Sequence, residues 1–73
     1  MHQPDILWSA TVASVHLSVH RVDHQLLVIH ENVEMGFTSC DTFTTEGQAY
    51  RVYLALLAAV VAAEQARIVA EPA

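Results

Sequence analysis

Apolar residues dominate one continuous segment, Thr45 to Ala70, and surround its axis on all sides when it is drawn as a helix. Thr45 and Gln48 have the spacing of a capping box, and Glu46 falls in the first turn, where the helix dipole favours an acid. Ala and Leu fill the interior, and no proline occurs before Pro72. The pattern therefore predicts one long helix over residues 45–70.

At 100° per residue this helix has two apolar stripes and one face of small residues. One stripe contains Tyr50, Leu54, Leu57, Val61 and Ile68, and the other contains Ala49, Tyr53, Leu56, Val60 and Ala63. A surface helix normally presents one apolar stripe to its core. We therefore expect the second stripe to cover the chain's own sheet and the first, Tyr50 to Ile68, to be an interface with a partner. The residues alone also allow the two stripes to exchange these roles.

Upstream of the helix, apolar and polar residues alternate as they do in strands. Residues 13–19 alternate without a break, and residues 25–35 form a second strand segment. Trp8, Ala10 and Val12 have the opposite phase, which a bulge near Val12 or separate packing of Trp8 would explain. A three-residue loop centred on Asp23 would join the strands as an antiparallel hairpin. It would pair Val19 with Leu27 and Leu17 with Ile29 on the core face, and His16 with His30 on the other.

The predicted fold is α+β, with an antiparallel hairpin or three-stranded meander followed by one long C-terminal helix. Gly36 permits a tight bend, Phe37 to Cys40 form a short third strand, and Phe43 anchors the start of the helix. We predict a single domain over residues 1–73, with a frayed N-terminus at 1–5, a sheet at 6–43 and the helix at 45–70. A heptad helix over residues 12–33 is the alternative. The Val, Ser, Thr and His content of that segment favours strands.

The chain of 73 residues has a net charge of −5, three basic residues and one cysteine. The scarcity of basic residues argues against nucleic-acid binding. We also predict no membrane span, because the uncharged run Val52–Ala63 has 12 residues and a span needs about 20. No internal disulfide is available, and the first residues lack a signal-peptide pattern. We therefore expect a cytoplasmic protein.

Five histidines and one cysteine are the residues in this chain best suited to chemistry. On a strand, His16 and His20 lie about 13 Å apart, too far to share an ion, so only His16 and His30 form a candidate metal pair, and no third ligand is evident. In the helical alternative, His16, His20 and His24 would line one face. Histidine protonation would also make association pH-dependent. Cys40 beside Asp41 is the minimum for a nucleophile, without glycine-rich loops. We predict no metal site, no cofactor and no enzymatic activity.

The segment TTEGQAYRVYLALLAAVVAAEQA resembles those of small proteins of unknown function from GC-rich actinobacteria and their phages. This resemblance implies an accessory or host-directed role. A chain of this length buries only about 60% of its unfolded surface, so association is a common means of stabilisation. We therefore predict a non-enzymatic interaction protein that forms a homo-oligomer, most simply a dimer, through its helix or a sheet edge. The alternatives are a heteromeric subunit that binds a host or cognate protein, and a histidine-based metal or small-ligand binder.

Overall fold

The computed structural model of the chain describes residues 5–70 as a four-stranded sheet followed by one helix. The strands are β1 (Asp5–Val12), β2 (Val15–Val22), β3 (Gln25–Asn32) and β4 (Phe37–Phe43), and the helix is α1 (Glu46–Ala70). The strands form an antiparallel meander in the order β1-β2-β3-β4. The α+β prediction is confirmed, whereas the helical alternative for residues 12–33 is wrong. The predicted frayed N-terminus lies outside the described residues except for Asp5, which begins β1, and the helix exit at Pro72 lies outside them altogether.

The sheet has four strands where the sequence predicted two or three, because a turn at Ala13 and Ser14 divides the first alternating segment. Val12 pairs with Val15 across this turn, and Ala13 has a φ of 52°. Because Val12 and Val15, which flank the turn, are three positions apart, the alternation of apolar and polar residues shifts by one position from β1 to β2. The shift explains the phase of Trp8, Ala10 and Val12. The β-bulge in β1 lies between Ile6 and Trp8, so the bulge predicted near Val12 was wrong.

A second two-residue turn, at Asp23 and His24, sets the register of β2 with β3. Val22 pairs with Gln25, and Asp23 has a φ of 57°. The predicted three-residue loop was wrong by one residue, which reverses the face of every side chain in β3. Four observed pairs correct the predicted register: Val19 with Val28, Leu17 with His30, His20 with Leu27 and His16 with Glu31.

The third connection contains Gly36, which adopts a left-handed φ of 65° in the turn before β4. The predicted bend at Gly36 is confirmed, and β4 extends to Phe43, beyond the predicted end at Cys40. The Asn32 side chain stabilises this turn by accepting a hydrogen bond from the Met35 amide at 3.1 Å. Phe43 packs against the core from the last position of β4, directly before the helix.

The core lies between the two central strands and the first half of α1. Leu17 and Val19 from β2, Leu26 and Val28 from β3, and Ala49 and Tyr53 from α1 are buried together. Leu56 and Val60 pack against this cluster from the helix. The expectation that the stripe containing Tyr53 faces the chain's own sheet is thereby confirmed for Ala49, Tyr53, Leu56 and Val60.

Polar contacts fix the N-terminal end of α1 on the sheet. The Thr45 hydroxyl accepts a hydrogen bond from the Gln48 amide at 3.3 Å, which confirms Thr45 as the helix cap. Arg21 of β2 forms an ion pair with Glu46 in the first turn. Both contacts lie at the same end of the sheet, so the helix start is anchored there and the C-terminal half of α1 extends toward the β1–β2 turn.

Candidate functional site: an exposed stripe on the helix

Four of the five large apolar side chains that α1 exposes lie along one side of the helix. Tyr50 and Leu54 are each 42% exposed, Val61 is 37% exposed and Ile68 is 58% exposed. With Leu57 between them, these residues are the stripe predicted from the sequence as an interface, and we call them the lateral stripe. Tyr50, Leu54, Val61 and Ile68 are each only partly covered by the rest of the described chain.

Leu57 differs from the other members of the lateral stripe because it packs against the core cluster. Its position at the inner margin of the stripe follows from the helical repeat, which places residue 57 closer than residues 54 and 61 to the buried Tyr53. Leu57 therefore stabilises the monomer fold directly. The solvent-exposed part of the stripe consists of Tyr50, Leu54, Val61 and Ile68.

Trp8 shows on which side of the helix the lateral stripe lies. The Trp8 ring, on β1, lies 4.9 Å from the Tyr50 ring and 6.3 Å from the Tyr53 ring, measured between centroids. The stripe therefore runs along the β1 side of α1. Trp8 and Tyr50 form an aromatic contact at the edge of this surface, of the tilted kind that favours rigid packing.

The remainder of α1 provides no polar face to oppose the stripe. Ala55, Ala58, Ala62 and Ala66 are all exposed on the outer side of the helix, and apolar residues are spread almost evenly around its axis. By length and composition, the helix would be able to cross a membrane, and only 6% of its most apolar window of 18 residues is buried. Core helices of soluble proteins and signal sequences meet the same criteria. The absence of a membrane span stays a prediction.

The candidate metal pair does not form because His16 and His30 lie on opposite faces of the sheet. His30 pairs with Leu17 on the helix side, whereas His16 pairs with Glu31 on the other side. The His16 Nδ1 atom lies 2.7 Å from the Thr11 hydroxyl, and the His20 Nε2 atom lies 2.9 Å from the Ser18 hydroxyl. Among residues 5–70, no three His, Cys, Asp or Glu side chains are grouped so as to hold a metal ion.

Cys40 and Asp41 also point to different faces, since they are neighbours in β4. Cys40 is exposed and pairs across the strands with Ile29 on the face away from the helix. Asp41 is exposed opposite Val28 on the helix side. The two side chains are therefore not arranged as a nucleophile and its orienting acid.

A cleft of about 650 Å³ opens beneath the second half of α1. Leu56, Val60 and Ala63 form its roof, and Val15, His30 and Asn32 form its floor. Sequence analysis did not predict this cleft because its existence depends on the register of β3. Only the observed two-residue turn places His30 and Asn32 under the helix.

Ionic groups at the open end of this cleft are Glu34, Glu64 and Arg67. The Arg67 guanidinium donates to the Glu64 carboxylate, with an Nε to Oε2 distance of 3.0 Å. This hydrogen bond, together with the charge of Arg67, holds the pKa of the Glu64 carboxyl below its usual value. Glu34 accepts a hydrogen bond from the Ser14 hydroxyl at 3.4 Å.

The described residues 5–70 present two separate surfaces with apolar side chains. The lateral stripe is an extended apolar strip on a rigid helix, and the cleft is a separate cavity lined by different residues. No family model, curated protein or solved structure matches this chain.

Proposed function

We propose that this protein is a non-enzymatic interaction protein that forms a homodimer through the lateral stripe of α1. The supporting observation is the exposure of Tyr50, Leu54, Val61 and Ile68 along one side of a helix that has no polar face. Surfaces of this kind on soluble proteins are usually contact sites. The same strip is available on every copy and contains no charge, so it is self-complementary.

The expected strength of this association follows from the area that remains exposed. Full burial of one large apolar side chain stabilises by about 1.5–3 kcal/mol, and these four residues are already partly covered. About 1 kcal/mol for each of eight side chains in a dimer is therefore a reasonable gross estimate. The entropic cost of association is about 4–15 kcal/mol. The gross gain of about 8 kcal/mol and this cost are of similar size, so we expect a weak dimer that dissociates on dilution.

Light scattering coupled to size-exclusion chromatography tests this proposal on the full chain at several concentrations. The monomer has a mass of 8.0 kDa, so a dimer should scatter as 16.0 kDa (2 × 8.0). Leu54→Glu places a charge in the middle of the stripe and should give a folded monomer at every concentration. Ala55→Glu is the matched control, because Ala55 is the next residue and is exposed on the outer face; it should remain dimeric.

Circular dichroism of each variant shows whether the helix is intact, so that loss of the dimer is separated from loss of the fold. Leu57 is a poor choice for this experiment because its side chain packs against the core. A wild-type protein that is monomeric up to millimolar concentration would overturn self-association and favour a heteromeric partner. A Leu54→Glu variant with the wild-type mass would overturn the assignment of the interface.

A further inference from the structure

The cleft beneath α1 exists because the two surfaces that form it do not fill the space between them. Under the first half of the helix, Tyr53 reaches the buried side chains of Leu17 and Val28. Under the second half, the small residues Ala59 and Ala63 join Leu56 and Val60 in the roof. The floor there contains the polar residues His30 and Asn32 beside Val15. The helix therefore bridges over this end of the sheet without closing on it.

The size and lining of the cleft are those of a small-molecule site. Its volume of about 650 Å³ falls within the range of about 300–1,000 Å³ that is typical of ligand pockets. Val15, Leu56 and Val60 make much of its lining apolar, and its polar lining residues include His30 and Asn32 on the floor and Glu34 at the open end. Such a site suits a molecule with an apolar body and one polar end.

The charges at the open end favour a cation. Arg67 and Glu64 form an ion pair, whereas Glu34 forms no ion pair within residues 5–70 and accepts only a long hydrogen bond, from Ser14. The cleft therefore presents one uncompensated carboxylate beside its apolar walls. A net charge of −5 over the whole chain also attracts cations and repels anions.

We propose that this cleft binds a small organic amine, with its alkyl or aryl body between Val15 and Val60 and its ammonium group at the Glu34 carboxylate. The site is distinct from the lateral stripe, since the residues that line it are not members of that stripe. The inference is therefore independent of the proposed dimer.

Titration of the full-length protein with 2-phenylethylamine, followed by nuclear magnetic resonance of the backbone amides, tests the proposal. We expect saturable shifts at Val15, Glu34 and Val60. The acid 3-phenylpropanoate, of similar size and opposite charge, should bind up to about fivefold more weakly, because one exposed ion pair contributes up to about this factor. Non-saturable shifts, or shifts confined to the lateral stripe, would overturn the assignment of the cleft.

Two variants identify the groups that bind the amine. Glu34→Gln should weaken binding by up to about fivefold. Glu31→Gln should leave it unchanged, because Glu31 lies on β3, before the turn that contains Glu34, and faces away from the helix. Ala63→Leu should block the cleft from the exposed side of its roof and reduce binding further. Equal affinity for the amine in Glu34→Gln and the wild type would refute the role of the carboxylate. Leu54→Glu should bind the amine normally, whether or not the dimer proposal holds.

Discussion

Two side chains of the sheet hold α1 in place, Trp8 by packing and Arg21 by an ion pair. Trp8 is half-buried, and its ring contacts both Tyr50 and Tyr53 on α1. Arg21 occupies a position on the helix side of β2 where an apolar residue would continue the core, and its charge is paired with Glu46. These two residues hold the first turns of α1 against β1 and β2.

Glu64 provides a residue whose ionisation is measurable. The hydrogen bond from Arg67 lowers the pKa of its carboxyl, so folded Glu64 remains charged at a pH where the unfolded residue is protonated. The stability that this pair contributes is therefore fully present above the unfolded pKa and is lost as the pH falls through the folded value. In a carbon-detected pH titration, the Glu64 carboxyl should show a pKa below that of glutamate in an unstructured peptide. Arg67→Gln should raise its pKa toward the usual value, and no change in that variant would contradict the assignment.

At the scale of the elements, the turns decide which residues reach the core. The helix was predictable, because a cap at Thr45 is followed by 25 residues rich in Ala and Leu and free of proline. The number of strands was not predictable, because the turn residues Ala13 and Ser14 are not glycine, proline or asparagine, which commonly signal a turn. The change of phase between Val12 and Val15 was visible in the sequence, but a bulge and a two-residue turn both produce it.

The candidate sites differ in the same way, since one depends on a single element and the other on how two strands pair. Helical periodicity alone places Tyr50, Leu54 and Val61 together on one side of α1. Leu57 of the same predicted stripe instead packs against the core, and the role of the stripe as an interface stays a prediction. The cleft and the separation of His16 from His30 both depend on the register of β3. A shift of one residue exchanges the two faces of a strand, and loop length cannot be read reliably from Asp23 and His24. Sequence reasoning therefore succeeded within one element and failed where two elements meet.

The left-handed backbone of Ala13 leads to a testable prediction about the β1–β2 turn. Alanine at a φ of 52° is less favourable than asparagine, whose side chain tolerates the left-handed region. Ala13→Asn should therefore raise the free energy of unfolding by about 0.5 kcal/mol, and Ala13→Val should lower it by about 1–2 kcal/mol because a β-branched residue resists this conformation. Urea denaturation measures both changes. A higher free energy of unfolding in Ala13→Val would show that residue 13 has an extended backbone and that no turn joins β1 to β2 at this position.

At the scale of the whole molecule, the helix is longer than the sheet that supports it. Twenty-five helical residues span about 37 Å, and strands of eight residues span about 26 Å. The molecule accordingly measures 49 × 24 × 15 Å. From Val61 to the end of α1, every residue except Glu64 is exposed. The sheet therefore covers α1, the most apolar element of the chain, only over its first half.

The exposed apolar surface of α1 leads to a prediction about how thermal unfolding depends on protein concentration. If a second copy covers the lateral stripe, the folded dimer is favoured by mass action, and the midpoint of thermal unfolding should rise with protein concentration. We expect a rise of several degrees between about 5 µM and 500 µM. A hundredfold change in concentration is worth about 2.7 kcal/mol per dimer, or about 1.4 kcal/mol per chain, and a domain of this size shifts by about 4–8 °C per kcal/mol. Incomplete dimerisation at the lower concentration reduces the rise. Leu54→Glu should melt at one temperature throughout this range, whereas Ala55→Glu should follow the wild type. A wild-type midpoint independent of concentration, in a protein that scatters as a monomer, would mean that the stripe is left for a different partner.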